Sequence, residues 1–188
     1  MADKIPLLLD TSTGMIKQFT AGDTIAYTTA PGGGVRVLWD AYTDAGNSGT
    51  SETDLYSYTI PADTLAADGT KLIAKYGLAL LDTTPTFNVR VYFAGTLICD
   101  VTFGNVSGGN TAVTVDALLI RTGSATLRAI VSIMLPRTTY TYAKQTDLSG
   151  LSFTGTNVLK IAGTVTSTGA GSNDLVAKEG TIMWYPPA

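Results

Sequence analysis

Residues 51–81 read SETDLYSYTIPADTLAADGTKLIAKYGLALL, and the pattern within them decides the fold class. Over residues 55–60, Tyr56, Tyr58 and Ile60 fall on one face and Leu55, Ser57 and Thr59 on the other, the period of two that marks a strand with unequal faces. Pro61 stops that strand, because proline has no N–H to give to a ladder. Asp68-Gly69 is a strong turn pair, and residues 72–81 follow as a longer apolar strand interrupted by Lys75 and Gly77. The spacing predicts the opening hairpin of a β-sandwich.

Working outward, the composition agrees with many strands joined by tight turns. Of 188 residues only 14 % are charged and 45 % are hydrophobic, a balance opposite to that of disordered chains. The chain is long enough for one substantial domain or for a domain with a small extension. A formal net charge of −3 and scattered Lys and Arg leave no footprint for phosphate, so no nucleic-acid partner is expected. The longest apolar runs fall far short of the roughly twenty residues that cross a bilayer. Asp10 closes the apolar run at 5–9 too soon for a secretory signal, so no membrane insertion and no signal peptide are expected. Cys99 is the single cysteine, which rules out an intrachain disulfide. The alternation places it on one strand face with Leu97, Val101 and Phe103, as an inert core thiol.

Two regions differ in texture. Residues 1–34 suggest three strands of about five residues, at 5–9, 15–19 and 24–28, too little for independent stability. Gly32-Gly33-Gly34 then reads as a linker, since no helix and no Lys-Ser/Thr follow to make a phosphate loop. Residues 35–188 form the main domain. Val35, Val37 and Trp39 alternate with Arg36, Leu38 and Asp40; Phe87, Val89, Val91 and Phe93 alternate with Asn88, Arg90 and Tyr92. Residues 112–121 and 125–135 form a pair around Thr122-Gly123-Ser124, residues 139–144 an edge strand and 148–153 a short one. Residues 158–166 and 174–184 complete an all-β, antiparallel, eight-stranded jelly-roll-like sandwich.

The absence of histidine removes the common nucleophile triads and imidazole metal sites. Carboxylate chemistry remains, and a glycosidase sets two carboxyls about 5 to 10 Å apart. Asp82, Asp100, Asp116, Asp147, Asp174 and Glu179 are the residues available, but most sit at strand ends or turns, where Asp bonds locally. No enzyme activity and no cofactor are expected. Oxygen-rich loops at 44–47 and 172–174 lack the ordered run of a calcium loop, so no metal is expected. Two Tyr-x-Tyr pairs, Tyr56 with Tyr58 and Tyr140 with Tyr142, put both rings of each on one strand face. They suit a subunit interface, where Tyr is enriched, or a glycan surface.

The opening KIPLLLDTSTGMIKQFTAGDTIAY (4–27) resembles short N-terminal modules of tailed-bacteriophage virion proteins. The segment TDLYSYTIPADTLAADGTKL (53–72), with the strand pattern after it, is similar to jelly-roll domains of capsid-decoration, head-fibre and tail-fibre proteins. The resemblance implies a homotrimer made in the bacterial cytoplasm. Residues 1–34 would attach to the major capsid protein or another virion protein through Ile5, Leu7, Leu9, Ile16, Phe19, Ile25 and Tyr27. Residues 35–188 would project, with Tyr56, Tyr58, Tyr140 and Tyr142 as trimer or ligand surface. A chain without a long shaft favours a capsid-decoration (cement) or head-fibre role; the alternative is a tail-fibre or receptor-binding module for host surface polysaccharide.

Overall fold

The computed structural model describes residues 7–10, 15–18, 34–47, 49–81, 86–104, 111–135, 140–166 and 173–187. The chain divides into two compact units, Met1–Pro31 and Gly32–Ala188. In the first, β1 (Leu7–Asp10) pairs antiparallel with β2 (Met15–Gln18), with Leu7 opposite Gln18 and Leu9 opposite Ile16. Ile5, Phe19, Ile25, Tyr27 and the strand expected at 24–28 lie outside the described residues.

The second unit carries eleven strands among the described residues rather than eight: β3 (Arg36–Ala41), β4 (Ala45–Gly46), β5 (Thr53–Ile60), β6 (Lys71–Leu80), β7 (Thr86–Phe93), β8 (Thr96–Phe103), β9 (Thr111–Gly123), β10 (Thr126–Leu135), β11 (Tyr140–Leu148), β12 (Asn157–Thr166) and β13 (Leu175–Tyr185). They form two antiparallel sheets. The larger runs β11-β10-β9-β6-β13-β3, with β4 also beside β13, and the smaller runs β5-β12-β7-β8. The all-β sandwich expected from the sequence is thus present.

The stretch 51–81 is not a hairpin. Its two strands belong to opposite sheets, β5 pairing with β12 and β6 with β13 and β9. The connection between them is too long for a tight turn and carries its own anchor. Leu65 is buried in the core, and its carbonyl accepts from Arg121 Nη1 at 2.6 Å. Gly69, at a φ of 82°, donates its N–H to the Arg121 carbonyl at 2.8 Å, which fastens the corner to β9. Only a residue without Cβ adopts that conformation at little cost. The short strand expected at 148–153 is instead the last residue of β11 followed by an irregular segment that buries Phe153.

The core follows from the alternation. Phe87, Val89, Val91 and Phe93 of β7 are fully buried, as are Val113, Val115, Ala117 and Leu119 of β9 and Leu127, Ala129, Val131 and Ile133 of β10. Each large side chain so buried contributes about 1.5–3 kcal/mol. Where the register slips, the pattern departs from simple alternation. An irregularity between Val91 and Tyr92 in the pairing of β7 with β8 leaves Ile98 and Cys99 both inward and Leu97 38 % exposed, which removes Leu97 from the face it was expected to share with Cys99.

Gly163 is a packing requirement. A Cβ there would collide with Leu175 Cδ2 and lie 3.2 Å from Leu55 Cδ1, so the sheets meet over it only without a side chain. Hydrogen bonds tie the open sides of the sandwich: Thr146 Oγ1 donates to the Ile98 carbonyl at 3.0 Å on one side, and on the other the Tyr56 hydroxyl lies 2.7 Å from the Thr43 carbonyl and 3.3 Å from the Ala177 carbonyl of β13.

Candidate functional site

The two outer faces differ in chemistry. On the smaller sheet, charges are spent on one another. Arg90 donates through Nη1 to Glu52 at 2.5 Å and through Nε to Asp100 at 3.1 Å, and Tyr92 donates its hydroxyl to Glu52 at 3.0 Å. Lys160 donates to Asp54 at 2.7 Å, and its Nζ stands 4.8 Å from the centre of the Tyr92 ring. These contacts hold Arg90 charged, chiefly through Glu52, and raise the Lys160 pKa, chiefly through Asp54. Burial raises the Tyr92 hydroxyl, with a further push from Glu52. The network leaves little for a ligand to engage.

The larger sheet instead has a depression. On β6, Leu72, Ala74, Tyr76, Leu78 and Leu80 point inward, which sends Lys75 and Gly77 to the outer face. Across β9 the register sets Lys75 opposite Asp116 and Gly77 opposite Thr114. On the other flank an irregularity between Ala177 and Glu179 brings Glu179 opposite Gly77 and Thr181 opposite Lys75. Lys178, next to it, reaches Asp44 at 2.5 Å. Two polar rows result, one of Glu179, Gly77 and Thr114, the other of Asp40, Thr181, Lys75 and Asp116.

Gly77 makes the hollow. A Cβ at that position would stand 2.8 Å from Cγ and Oε1 of Glu179, so glycine lets the Glu179 side chain lie across the sheet. The resulting groove, about 410 Å³, is lined by Tyr42, Lys75, Gly77, Thr114, Asp116 and Glu179 among others. Tyr42, in the bend between β3 and β4, is 75 % exposed. Lys75 Nζ and Asp116 Oδ1 are 3.9 Å apart and both side chains are more than half exposed, a loose pair. Thr181 donates its hydroxyl to the Asp40 carboxylate. Beneath this floor burial raises the Tyr76 hydroxyl pKa, and it also raises that of Tyr56, with Asp44 and Glu179 adding to the effect.

The sequence-derived candidates scatter. Of the six carboxylates considered, only Asp116 and Glu179 share a site. Asp100 is bound to Arg90, Asp147 accepts from Arg128 Nε at 2.8 Å, Asp174 is half-buried before β13, and Asp82 lies outside the described residues. Asp44 is paired with Lys178. Asn47 is buried in backbone bonding, its Oδ1 accepting from Leu175 N at 2.8 Å and its Nδ2 donating to the Gly49 carbonyl at 2.9 Å. No group of three metal-ligating side chains occurs among the described residues.

Tyr56 is not on the surface. It is 8 % exposed, edge-on to Trp39, because its strand face is the core face. Tyr58 and Tyr142 are half-buried against the core, and Tyr140 pairs along the backbone with Leu135. Leu7, Leu9 and Ile16 lie in the β1–β2 ladder. Sequence reading gave Tyr42 no role and took Gly77 only as an interruption of its strand, although a lone glycine inside an alternating strand is a sign of close approach by another group. Among the described residues no helix is long and apolar enough to cross a membrane.

No protein-family model matches the chain, and no curated protein does. Among solved structures the chain is similar to the CBM2 module of the evolved Dit of Lactobacillus casei BL23 phage J-1, with a TM-score of 0.43, 9 % identity and coverage of 74 % of this chain and 75 % of that one. It is also similar to the infectious bursal disease virus VP2 subviral particle (TM-score 0.32, 15 % identity), covering 97 % of this chain but only 37 % of the VP2 chain. A third is the Caenorhabditis elegans galectin LEC-6 (TM-score 0.29, 11 % identity), covering 70 % of this chain and 94 % of that one. At these scores and identities the likenesses place the chain in no family.

Proposed function

We propose that the chain is a structural protein of a tailed-bacteriophage virion, of the capsid-decoration or head-fibre type, in which residues 1–34 hold the particle and the β-sandwich is displayed. The observation that supports this reading is the division at Pro31: the unit Gly32–Ala188 fills its two-layer core with its own side chains, while Met1–Pro31 is a separate small unit whose described residues form a short ladder. A two-stranded ladder gains stability by docking, which suits a segment whose work is to bind a partner such as the major capsid protein. Bridging neighbouring capsid subunits would add interface area and stabilise the lattice by mass action. Copies of the chain assemble as a trimer in this reading; Val35, just before the edge strand β3, and Val37 within it, 54 % and 58 % exposed, are apolar surface available to a neighbour. No catalytic step belongs to it.

The test is the number of chains bound per capsid, measured with the full chain and with a chain lacking residues 1–34 whose melting temperature shows the sandwich intact. Loss of binding on truncation supports the reading, and equal binding overturns it. A second reading, recognition of host surface polysaccharide, is favoured by the groove over Gly77.

A further inference from the structure

We infer that the groove between Glu179, Gly77 and Thr114 is a binding site for a neutral, hydroxyl-rich saccharide, with the Tyr42 ring as its stacking platform. The inference rests on the second reading above and gives it a site, at residues away from the tyrosine pairs first expected to form a ligand surface. Glycine is needed here for space and not for backbone shape: Gly77 is in regular strand without a positive φ, in a segment where glycine weakens the strand. What that cost provides is room for the Glu179 carboxylate over the middle of a three-strand floor.

The polar groups converge from three strands distant in sequence. Glu179 and Asp116 offer acceptors, Lys75 a donor, Thr114 both, and Thr181, whose proton goes to Asp40, an acceptor, which is the mixture that sugar hydroxyls satisfy as donors and acceptors at once. Glu179 forms no ion pair among the described residues, and Lys75 and Asp116 are only loosely joined, in contrast with the satisfied network on the smaller sheet. Two carboxylates against one ammonium make the groove net negative, so uronate, sialate and phosphate groups are repelled and a neutral sugar is preferred. At the rim Tyr42 leaves three quarters of its surface in water, and the apolar face of a pyranose covers such a ring.

The experiment titrates the isotope-labelled full chain, followed by amide NMR, with named neutral probes: maltotriose, cellotriose, galactobiose, mannobiose and N-acetylglucosamine oligomers, and with trigalacturonate as the acidic control. Saturable shifts for at least one neutral probe, centred on residues 76–77, 114–116 and 179–181, are expected. Tyr42→Ala and Glu179→Gln each weaken that binding by about tenfold or more, with melting temperature unchanged because both side chains are exposed. No saturable shift with any neutral probe, shifts centred elsewhere, binding unaffected by both substitutions, or equal binding of trigalacturonate would each overturn the inference. Capsid binding of Glu179→Gln, measured in parallel, stays at the full-chain level, so failure of the groove and failure of virion attachment are told apart.

Discussion

Trp39 and Tyr56 meet edge to face across the sandwich, their ring centroids 5.4 Å apart and their planes at 73°. One belongs to edge strand β3 of the larger sheet and the other to β5 of the smaller, so this contact, with the Tyr56 hydroxyl bonds, joins the layers along that side. Tyr76, its ring 6.5 Å from that of Tyr56, extends the stack inward. Tyr56→Ala is expected to cost about 3 kcal/mol in urea unfolding. A double-mutant cycle with Trp39→Ala should give a coupling of about 0.5–1.5 kcal/mol; strict additivity would show that the ring contact contributes nothing of its own. Tyr56→Phe, which loses the hydroxyl bond to the Thr43 carbonyl at 2.7 Å, should cost about 1 kcal/mol.

Asn47 holds the start of β13. Its backbone N–H donates to the Leu175 carbonyl at 2.9 Å while its side-chain Oδ1 accepts the Leu175 N–H, so one residue closes both sides of the pairing. Asn47→Ala leaves the Leu175 N–H buried without that acceptor, a penalty of about 1–3 kcal/mol. Asn47→Asp retains the acceptor but sets a buried carboxylate against the Gly49 carbonyl, so its loss in thermal unfolding is expected to lessen as pH falls and the carboxyl is protonated. A loss independent of pH would contradict the assignment.

Cys99 is buried, and burial pushes its thiol pKa up to about 11. The folded chain therefore keeps its proton when the unfolded chain, near the ordinary thiol value of about 8.5, gives it up. Stability from this group is intact below about pH 8.5 and falls as pH rises toward 11. Alkylation by iodoacetamide at pH 8 should be slow in buffer and fast in urea, with a native-state rate that tracks unfolding. Rapid labelling of the folded chain would show that the strand opens locally.

Asp147 accepts from Arg128 Nε at 2.8 Å on the neighbouring strand, and that bond holds its carboxyl below the ordinary carboxylate range. A depressed folded value means that the contribution is present at neutral pH and disappears as pH falls through the titration. Both side chains are well exposed, so the effect on stability is small. Carboxyl NMR should find Asp147 titrating below a typical Asp, and Arg128→Ala should move the midpoint upward. An unchanged midpoint would place the cause elsewhere.

The alternation in β7 was enough to read both the strand and its buried face, and β9 and β10 were legible as a strand pair around Thr122-Gly123-Ser124. The segment 51–81 shows where such reading ends. Tyr56 and Leu72 each look inward whether their strands are paired neighbours or face each other across the core, so local pattern cannot tell a hairpin from a crossover. Leu97 was misplaced by a register slip that leaves no composition signal. The groove was hidden for the same reason: Lys75 and Asp116 face each other in the regular β6–β9 ladder, but Glu179 joins them only because the pairing shifts beside it and because Gly77 yields space.

Strand β13 sits between β6 and β3 in the larger sheet, although it follows both, and every other described strand, in sequence. On the ribosome, β3 therefore emerges long before the neighbour that completes its ladder, and β6 waits with one flank open. Closure of this layer waits for the residues around Met183 and Trp184, and the nascent chain is exposed to wrong partners in that interval.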